Sequence, residues 1–513
     1  MKKLPIGIST FKEIREENYY YADKTSYVKK LVDEGKYYFI SRPRRFGKTL
    51  FADTLKEAFS GRKDLFKGLY LDEHWDWSVS YPVLFLSFGG GVLKNRRELD
   101  EFITDRFEEI FTLYGLNLKQ KNTNLIFRDL IVQLNKKYDK RVVVIVDEYD
   151  KPILDNITDE KAAYEIRDGL KNIYSVIKDS DAYIKFAFLT GVTKFSKVSL
   201  FSGLNNLEDI TLTESFSGIC GYTQEELESE FKERLPNVDM KALKKWYNGY
   251  NFLGAPVYNP YDILLFLKNK KFKNYWFETA TPGFLTDLIK QKQYYIPKLE
   301  NCEVGEEVLG SFDIDYIFVE TLLFQTGYLT IEGVEELANI QKYRLGFPNL
   351  EVKSSFANYI LNYFVSDASI KVENQTSLYR VLQKNDVQSL NTIFYSFFSA
   401  IPNDWYRKNM ISGYEGYYAS VFYCYFAALG LDVIPEDTTN KGRIDMTLKF
   451  EGRVYIFEFK VIDIIKHQGT ALNQIKNRKY YEKYTKDFDE IYLIGIEFSS
   501  KEKNIVNFEW KRV

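Results

Sequence analysis

Near the C-terminal end of this 513-residue sequence, two carboxylates and a lysine stand at a spacing that has chemical meaning. The run Gly442-Arg-Ile-Asp445-Met-Thr-Leu-Lys-Phe450 is followed by Glu451-Gly452 and then by Arg453-Val-Tyr-Ile-Phe-Glu458-Phe-Lys460-Val461. Read as two strands joined by a two-residue Glu-Gly turn, Phe450 faces Arg453, and counting outward sets Asp445 directly opposite Glu458. The alternation agrees with this register. Ile444, Met446 and Leu448 share one face with Tyr455, Phe457 and Phe459, whereas Asp445, Glu458 and Lys460 share the other. Opposed side chains hold their Cβ atoms about 4.5–5.5 Å apart, so two ionised carboxylates placed there repel each other. A divalent cation between them reverses the sign of that energy. With Lys460 alongside to orient or polarise a water, this is the chemistry of metal-assisted phosphodiester hydrolysis, using Mg²⁺ or Mn²⁺. The same residues also fit a solvent-facing edge hairpin in which Lys460 bridges the two acids. A second Glu-x-Lys, Glu351-Val-Lys353, opens a helical pattern with no opposed carboxylate. Glu415, at the start of the preceding helix, is a possible third oxygen ligand or an ordinary exposed glutamate. Gln474, on the following helix near Lys476, Arg478 and Lys479, is a candidate contact to a phosphate backbone.

A second constellation lies near the N-terminus. Arg42-Pro43-Arg44-Arg45-Phe46-Gly47-Lys48-Thr49 follows a short apolar run and precedes a helical pattern. It matches the phosphate-binding loop Gly-x-x-x-x-Gly-Lys-Ser/Thr except at its first position, where Arg42 replaces glycine. Gly47 lets the backbone approach phosphates, Lys48 reaches the β- and γ-phosphates, and Thr49 holds Mg²⁺. Arg45 is a further phosphate contact. If position 42 requires positive φ, a side chain there costs on the order of 1–3 kcal/mol, which three neighbouring arginines could offset against bound phosphate. Val142-Val-Val-Ile-Val146 ends in Asp147-Glu148, where Asp147 would coordinate Mg²⁺ and Glu148 would activate a water. The run Ile184–Leu189 ends in Thr190, a candidate sensor of the γ-phosphate.

These side chains need a scaffold. The runs Tyr37–Ile40, Val83–Phe88, Val142–Val146 and Ile184–Leu189 are separated by helical patterns such as Glu98–Tyr114 and Lys161–Ile177. That order predicts an α/β fold with a parallel sheet covered on both faces. Beyond about Leu212 the pattern is helical to about Leu267, then irregular, with a hairpin-like pair (Tyr328–Ile331, Gln341–Leu345) and helices from about Val352 to Ser399. From Gly413 the order is helix, three strands, helix, strand, with the helices at Tyr414–Leu429 and Ala471–Tyr484. The expected organisation is a nucleotide domain at 1–215, a mostly helical lid or linker at 216–400, and a compact α/β domain at 401–513.

Composition sets the bounds. The formal net charge is −2, so no global field announces a nucleic-acid or membrane partner, and any such surface must be local. Three cysteines without paired spacing exclude a disulfide framework, and two histidines exclude chemistry built on several of them. Neither a signal peptide nor a membrane span is read from the chain, and a cytoplasmic protein is expected. The 40 Tyr and 40 Phe are read chiefly as core rather than as base-stacking platforms.

With these residues in view, the chain resembles a family of bacterial proteins that join an AAA-type-ATPase-like N-terminal domain to a PD-(D/E)xK-nuclease-like C-terminal domain. The resemblance runs along nearly the whole length. It rests on Tyr21-Ala-Asp23-Lys24-Thr25, Ser41 to Thr49, Val146-Asp-Glu-Tyr-Asp150 and Leu189-Thr-Gly-Val-Thr-Lys-Phe-Ser196. Trp246-Tyr-Asn-Gly-Tyr250, Tyr275-Trp-Phe-Glu-Thr279, Phe347-Pro-Asn-Leu-Glu-Val352, and Gly442-Arg-Ile-Asp445 with Glu458-Phe-Lys460 complete it. The resemblance implies a P-loop ATPase and a restriction-endonuclease-like core with metal ligands Asp445 and Glu458 and catalytic Lys460. It also implies that Tyr21–Thr25 lies near the nucleotide and that Arg42 is a family trait. Ile444 stands where the motif name has proline.

The leading expectation is an ATP-controlled, Mg²⁺-dependent nuclease acting on nucleic acid, DNA foremost. The alternatives are a nucleotide-switched module that binds nucleic acid or protein without cutting, and an ATP-driven remodeller anchored by its C-terminal domain. A homo-oligomer is possible in each case.

Overall fold

The computed structural model describes residues 1–195, 200, 204, 206–277, 285, 288–289, 292, 294–310, 314, 316–365, 367–401, 415–462 and 469–513. Ser196, Glu278, Thr279, Gly413 and Tyr414 lie outside the described residues. The chain forms two compact units, one of Met1–Ala280 with Glu303–Asn349, the other of Thr281–Cys302 with Leu350–Val513. Residues 216–400 are thus divided between the two.

The first unit is built on five parallel strands: β1 (Tyr37–Ser41), β2 (Val83–Ser87), β3 (Val142–Asp147), β4 (Ile184–Gly191) and the short β5 (Glu208–Asp209). Their order is β2-β3-β4-β1-β5. Strands β1 and β3 are buried at every position, as unbroken apolar runs between two helical layers must be. The expected helices appear as Arg96–Leu113 and Glu160–Asp179, whose N-caps Asn95 and Asp159 accept from the amides of Glu98 and Ala162. The stretch read as helical from Thr223 to about Leu267 holds three helices, Gln224–Glu230, Met240–Tyr247 and Pro260–Asn269. Downstream, β6 (Cys302–Gly305), β7 (Thr330–Leu337) and β8 (Ile340–Gly346) form a three-stranded sheet in the order β6-β8-β7.

In the second unit, helices Leu350–Phe364, Ala368–Lys384, Leu390–Ser399 and Glu415–Ala428 precede a five-stranded mixed sheet. The strands are β9 (Asp432–Thr439), β10 (Gly442–Phe450), β11 (Arg453–Val461), β12 (Glu490–Ser499) and β13 (Asn504–Arg512), ordered β13-β12-β11-β10-β9. The Glu451-Gly452 turn has positive φ at both residues, 47° and 78°, as a two-residue hairpin turn matched to strand twist requires. Phe450 faces Arg453 and Met446 faces Phe457, in the anticipated register, but the paired ladder ends there, one residue short of Asp445 and Glu458. Ile444, expected on the face of Phe457 and Phe459, packs instead with Val454 and Ile456 on the opposite one. The hairpin is not at an edge, however. Strands β9 and β12 flank it, and both of its faces are covered. Phe457 and Phe459 pack against Phe422 of helix Glu415–Ala428, while Val454 and Ile456 share a core with Leu472 and Ile475 of helix Thr470–Arg478. The helix predicted to reach Tyr484 stops at Arg478 and continues as a 3₁₀ turn at Tyr480–Lys483.

Candidate functional site

The phosphate loop joins β1 to helix Lys48–Phe59, whose N-cap Gly47 has φ 93°. The left-handed residues of the loop are Arg45 (φ 69°) and Gly47, not Arg42. Position 42 therefore needs no glycine. Its side chain is buried and turned away from the cleft. The guanidinium donates to the carbonyls of Ser41 (2.9 Å), Thr211 (2.7 Å) and Phe216 (3.3 Å) and lies 3.9 Å from the centre of the Phe252 ring. Of the three arginines expected beside the phosphates, Arg44 and Arg45 are exposed at the cleft and Arg42 is not. Burial pulls the Arg42 guanidinium down to about 10.

Lys48 is buried, and its ammonium donates to the carbonyls of Arg42 (2.8 Å) and Pro43 (2.9 Å). Burial lowers its pKa, and the Asp147 carboxylate opposes that shift. Asp147 ends β3 and accepts from Thr49 Oγ1 (2.8 Å) and from Thr190 Oγ1 (2.5 Å). The strand order explains this triad, because β4 lies between β1 and β3 and brings Thr190 between loop and acid. Glu148 follows in a left-handed conformation (φ 55°), and burial with the adjacent Asp147 charge raises its pKa. Asp150, which sequence reasoning passed over, is fully buried and accepts from the amides of Val192 (3.0 Å) and Thr193 (2.6 Å), tying β3 to the end of β4. A cleft of about 600 Å³ opens over Gly47, Lys48, Thr49 and Glu148. Its far wall comes from Pro5 and Ile8 at the N-terminus and from Pro260, Tyr261 and Leu264. In the segment Tyr21–Thr25, Tyr21, Ala22 and Lys24 share a small side cavity of about 60 Å³ with Phe46 and Gly47 of the loop, and Asp23 accepts from the amides of Thr25 and Tyr70.

In the second unit, Asp445 Oδ2 accepts from the Phe459 amide (2.8 Å), which draws it against the Glu458-Phe-Lys460 segment. Glu458 is almost wholly buried. Burial and then the Asp445 charge push its pKa up to about 8, and Asp445 is raised by burial as well. Gln474 donates to Glu458 Oε1, while Oε2 is buried without a hydrogen-bond partner. Lys460 Nζ stands 3.4 Å from Glu458 and 3.9 Å from Glu415, so it does not form the Asp445–Glu458 bridge of the edge-hairpin alternative. Burial would lower the Lys460 pKa, but Glu458, Glu415 and Asp445 together outweigh it and raise it. Glu415 opens its helix, and its Oε1 accepts from the Val461 amide (3.2 Å).

Among the described residues no group of three or more His, Cys, Asp or Glu forms a ready-made metal cluster. The hard oxygen donors present nonetheless suit Mg²⁺ or Mn²⁺, because a buried, unpartnered carboxylate oxygen beside a second acid is the kind of ligand such a cation takes. Sequence reasoning missed Glu497. This buried carboxylate on β12 accepts from the amides of Gly469 (2.9 Å) and Ala471 (3.1 Å) and from Thr470 Oγ1 (2.9 Å). It thereby holds the start of the helix that presents Gln474. Its signal was a single acid inside the otherwise apolar run Ile491–Phe498. The second Glu-x-Lys is spent structurally, with Lys353 paired to Glu300.

These two arrangements define the class. One unit carries a P-loop on a parallel α/β sheet, and the other carries an Asp and Glu-x-Lys hairpin inside a mixed sheet. Family models agree: one described as a predicted AAA-ATPase matches residues 5–201, and the PD-(D/E)XK nuclease superfamily matches residues 413–508. A protein from Azotobacter chroococcum mcd 1, described as an uncharacterized protein in the vnfD 5' region, is 49% identical over 508 residues, covering 99% of this chain and 98% of that relative. The chain belongs to the bacterial family of AAA-ATPase-like proteins that carry a C-terminal PD-(D/E)XK nuclease-like domain. Among the described residues no helix is long and apolar enough to cross a membrane.

Proposed function

We propose that this protein is an ATP-dependent nuclease that cleaves phosphodiester bonds of DNA with the help of Mg²⁺ or Mn²⁺. The observation that carries the reading is the Glu458 carboxylate, buried beside Asp445 with one oxygen unpartnered and its pKa pushed up to about 8. A fold keeps so unfavourable a group where a ligand repays it, and desolvated acids with specific charge partners mark functional sites. When bound, the cation would supply Lewis-acid polarisation of the scissile phosphoryl group. Asp445 and Glu458 would hold it, with Glu415 as a third oxygen donor. Lys460 would place its ammonium where negative charge grows on the phosphoryl oxygens. Gln474 would fix the orientation of Glu458, and Lys476, Arg478 and Lys479 would meet the phosphate backbone.

In the N-terminal domain, Lys48 and Arg45 would bind the nucleotide phosphates, and Thr49 with Asp147 would hold the accompanying Mg²⁺. Thr190 would sense the terminal phosphate through Asp147, and Glu148 would accept a proton from the attacking water. We read 1–215 as the ATP domain and 401–513 as the cleavage domain of a cytoplasmic protein, with 216–400, which divide between the two compact units, supplying lid or linker segments. The test is a cleavage assay on single- and double-stranded DNA and RNA, with and without ATP and Mg²⁺ or Mn²⁺. Wild type should cut DNA, and Glu458→Ala should not. Cutting of every substrate by Glu458→Ala at the wild-type rate would overturn the assignment. Binding without metal-dependent cleavage of any substrate would favour the nucleotide-switched docking module instead.

A further inference from the structure

Two aromatic motifs, Trp246 to Tyr250 and the run opening at Tyr275, take no part in the chemistry above, yet they converge on the phosphate loop. Trp276 is fully buried, and its indole Nε1 donates to the Arg44 carbonyl at 3.1 Å. Arg44 directly precedes Arg45, whose left-handed backbone (φ 69°) is unfavourable for a residue with a side chain and persists only if its neighbours hold it. On the other side of that residue, the Phe46 ring meets Tyr250 edge-on at 4.7 Å, and the Phe46 carbonyl accepts from the Gly221 amide at 3.0 Å. The Trp276 ring is itself set against Tyr328 (5.3 Å between centroids). Gly327 lies so close to the loop that a Cβ there would fall 2.7 Å from Pro43. The loop crest is therefore clamped from outside the β1–helix unit that carries it.

The clamp adjoins the part of the loop that nucleotide must disturb. Lys48 donates to the carbonyls of Arg42 and Pro43. Phosphate oxygens form stronger, charge-assisted bonds to an ammonium than peptide carbonyls do, so bound nucleotide draws Lys48 off them. The freed carbonyls lie one and two residues from the carbonyl held by Trp276. We propose that Trp276 is the positioning residue of the phosphate loop, holding its left-handed crest ready for phosphate and registering the nucleotide's arrival. The proposal rests on the nucleotide-binding reading of that loop.

The test uses full-length protein, mant-ATP fluorescence titration, steady-state ATP turnover and amide hydrogen exchange. Trp276→Phe keeps a ring against Tyr328 and deletes the donor. Its mant-ATP affinity should fall roughly 5–10-fold, the equivalent of one neutral hydrogen bond, with KM rising in step and kcat within about twofold. Exchange across residues 42–47 should quicken without nucleotide. Trp246→Phe, whose ring stacks on Phe272, should leave all of these unchanged. Wild-type affinity and wild-type exchange at 42–47 in Trp276→Phe overturn the proposal. Should that variant not fold, unaltered protein decides the matter: ATPγS should change exchange at 272–277 together with 42–47, and a change at 42–47 alone overturns it. Absence of mant-ATP binding by wild type would defeat the nucleotide reading itself, while the nucleotide-free exchange comparison would still judge the clamp.

Discussion

Replacing Glu458 by Gln should stabilise the metal-free protein, and do so in a pH-dependent manner. The side chain keeps its size and its acceptor toward Gln474, and loses only its ability to ionise in a buried place. Burial, and then the Asp445 charge, push Glu458 in the folded protein up to about 8 from an ordinary glutamate value of 4.5. A raised folded-state value means that its contribution to stability is fully present below pH 4.5 and is lost as the pH rises through about 8. At ~1.4 kcal/mol per pH unit, the loss reaches about 5 kcal/mol in alkaline solution and is below about 1 kcal/mol at pH 5. Differential scanning calorimetry of wild type and Glu458→Gln in EDTA reads this directly. The transition of the C-terminal unit should rise by about 10 °C or more in the variant at pH 8.5, and hardly at all at pH 5. Equal or lower stability of the variant at pH 8.5, or a difference that does not vary with pH, would refute the reasoning.

Four further outcomes follow from the geometry of the two sites. Lys48→Ala should cut ATP turnover by roughly 100-fold or more, while Asp445→Ala should abolish cleavage and leave ATP turnover intact. Arg42→Met strips the donor from three buried carbonyls and should lower the stability of the N-terminal unit by about 3 kcal/mol, read as a fall of roughly 5–10 °C in its melting transition. Mn²⁺ affinity of the C-terminal site, followed by calorimetry on the nucleotide-free chain, should tighten between pH 6.5 and 8.5 with release of a proton, because Glu458 must ionise before it can serve as a ligand.

How much of this was legible in the sequence depended on how local the determining physics is. The β10–β11 register followed from one turn and the two-residue period of strands, and a slip of one residue in either strand would have turned its apolar set to the opposite face of the sheet. The Asp147–Thr49–Thr190 triad followed from motif order plus the rule that ligands collect at carboxyl ends of parallel strands. Arg42 was misread because a residue type does not disclose its φ or the direction of its side chain. Its partners Thr211, Phe216 and Phe252 lie far along the chain. β13 was missed because its run Asn504–Arg512 exposes Val506 and Trp510 and ends in charged residues, as an edge strand with one solvated face does. Glu497 and the Trp276 clamp depend on contacts that no spacing rule encodes.

The central claim, that Asp445 and Glu458 jointly hold a divalent cation, is tested most directly by Mn²⁺ titration followed by electron paramagnetic resonance on nucleotide-free protein at pH 8. Wild type should bind one more Mn²⁺ than Glu458→Gln. The same number of bound ions with the same affinity in both proteins would contradict the account.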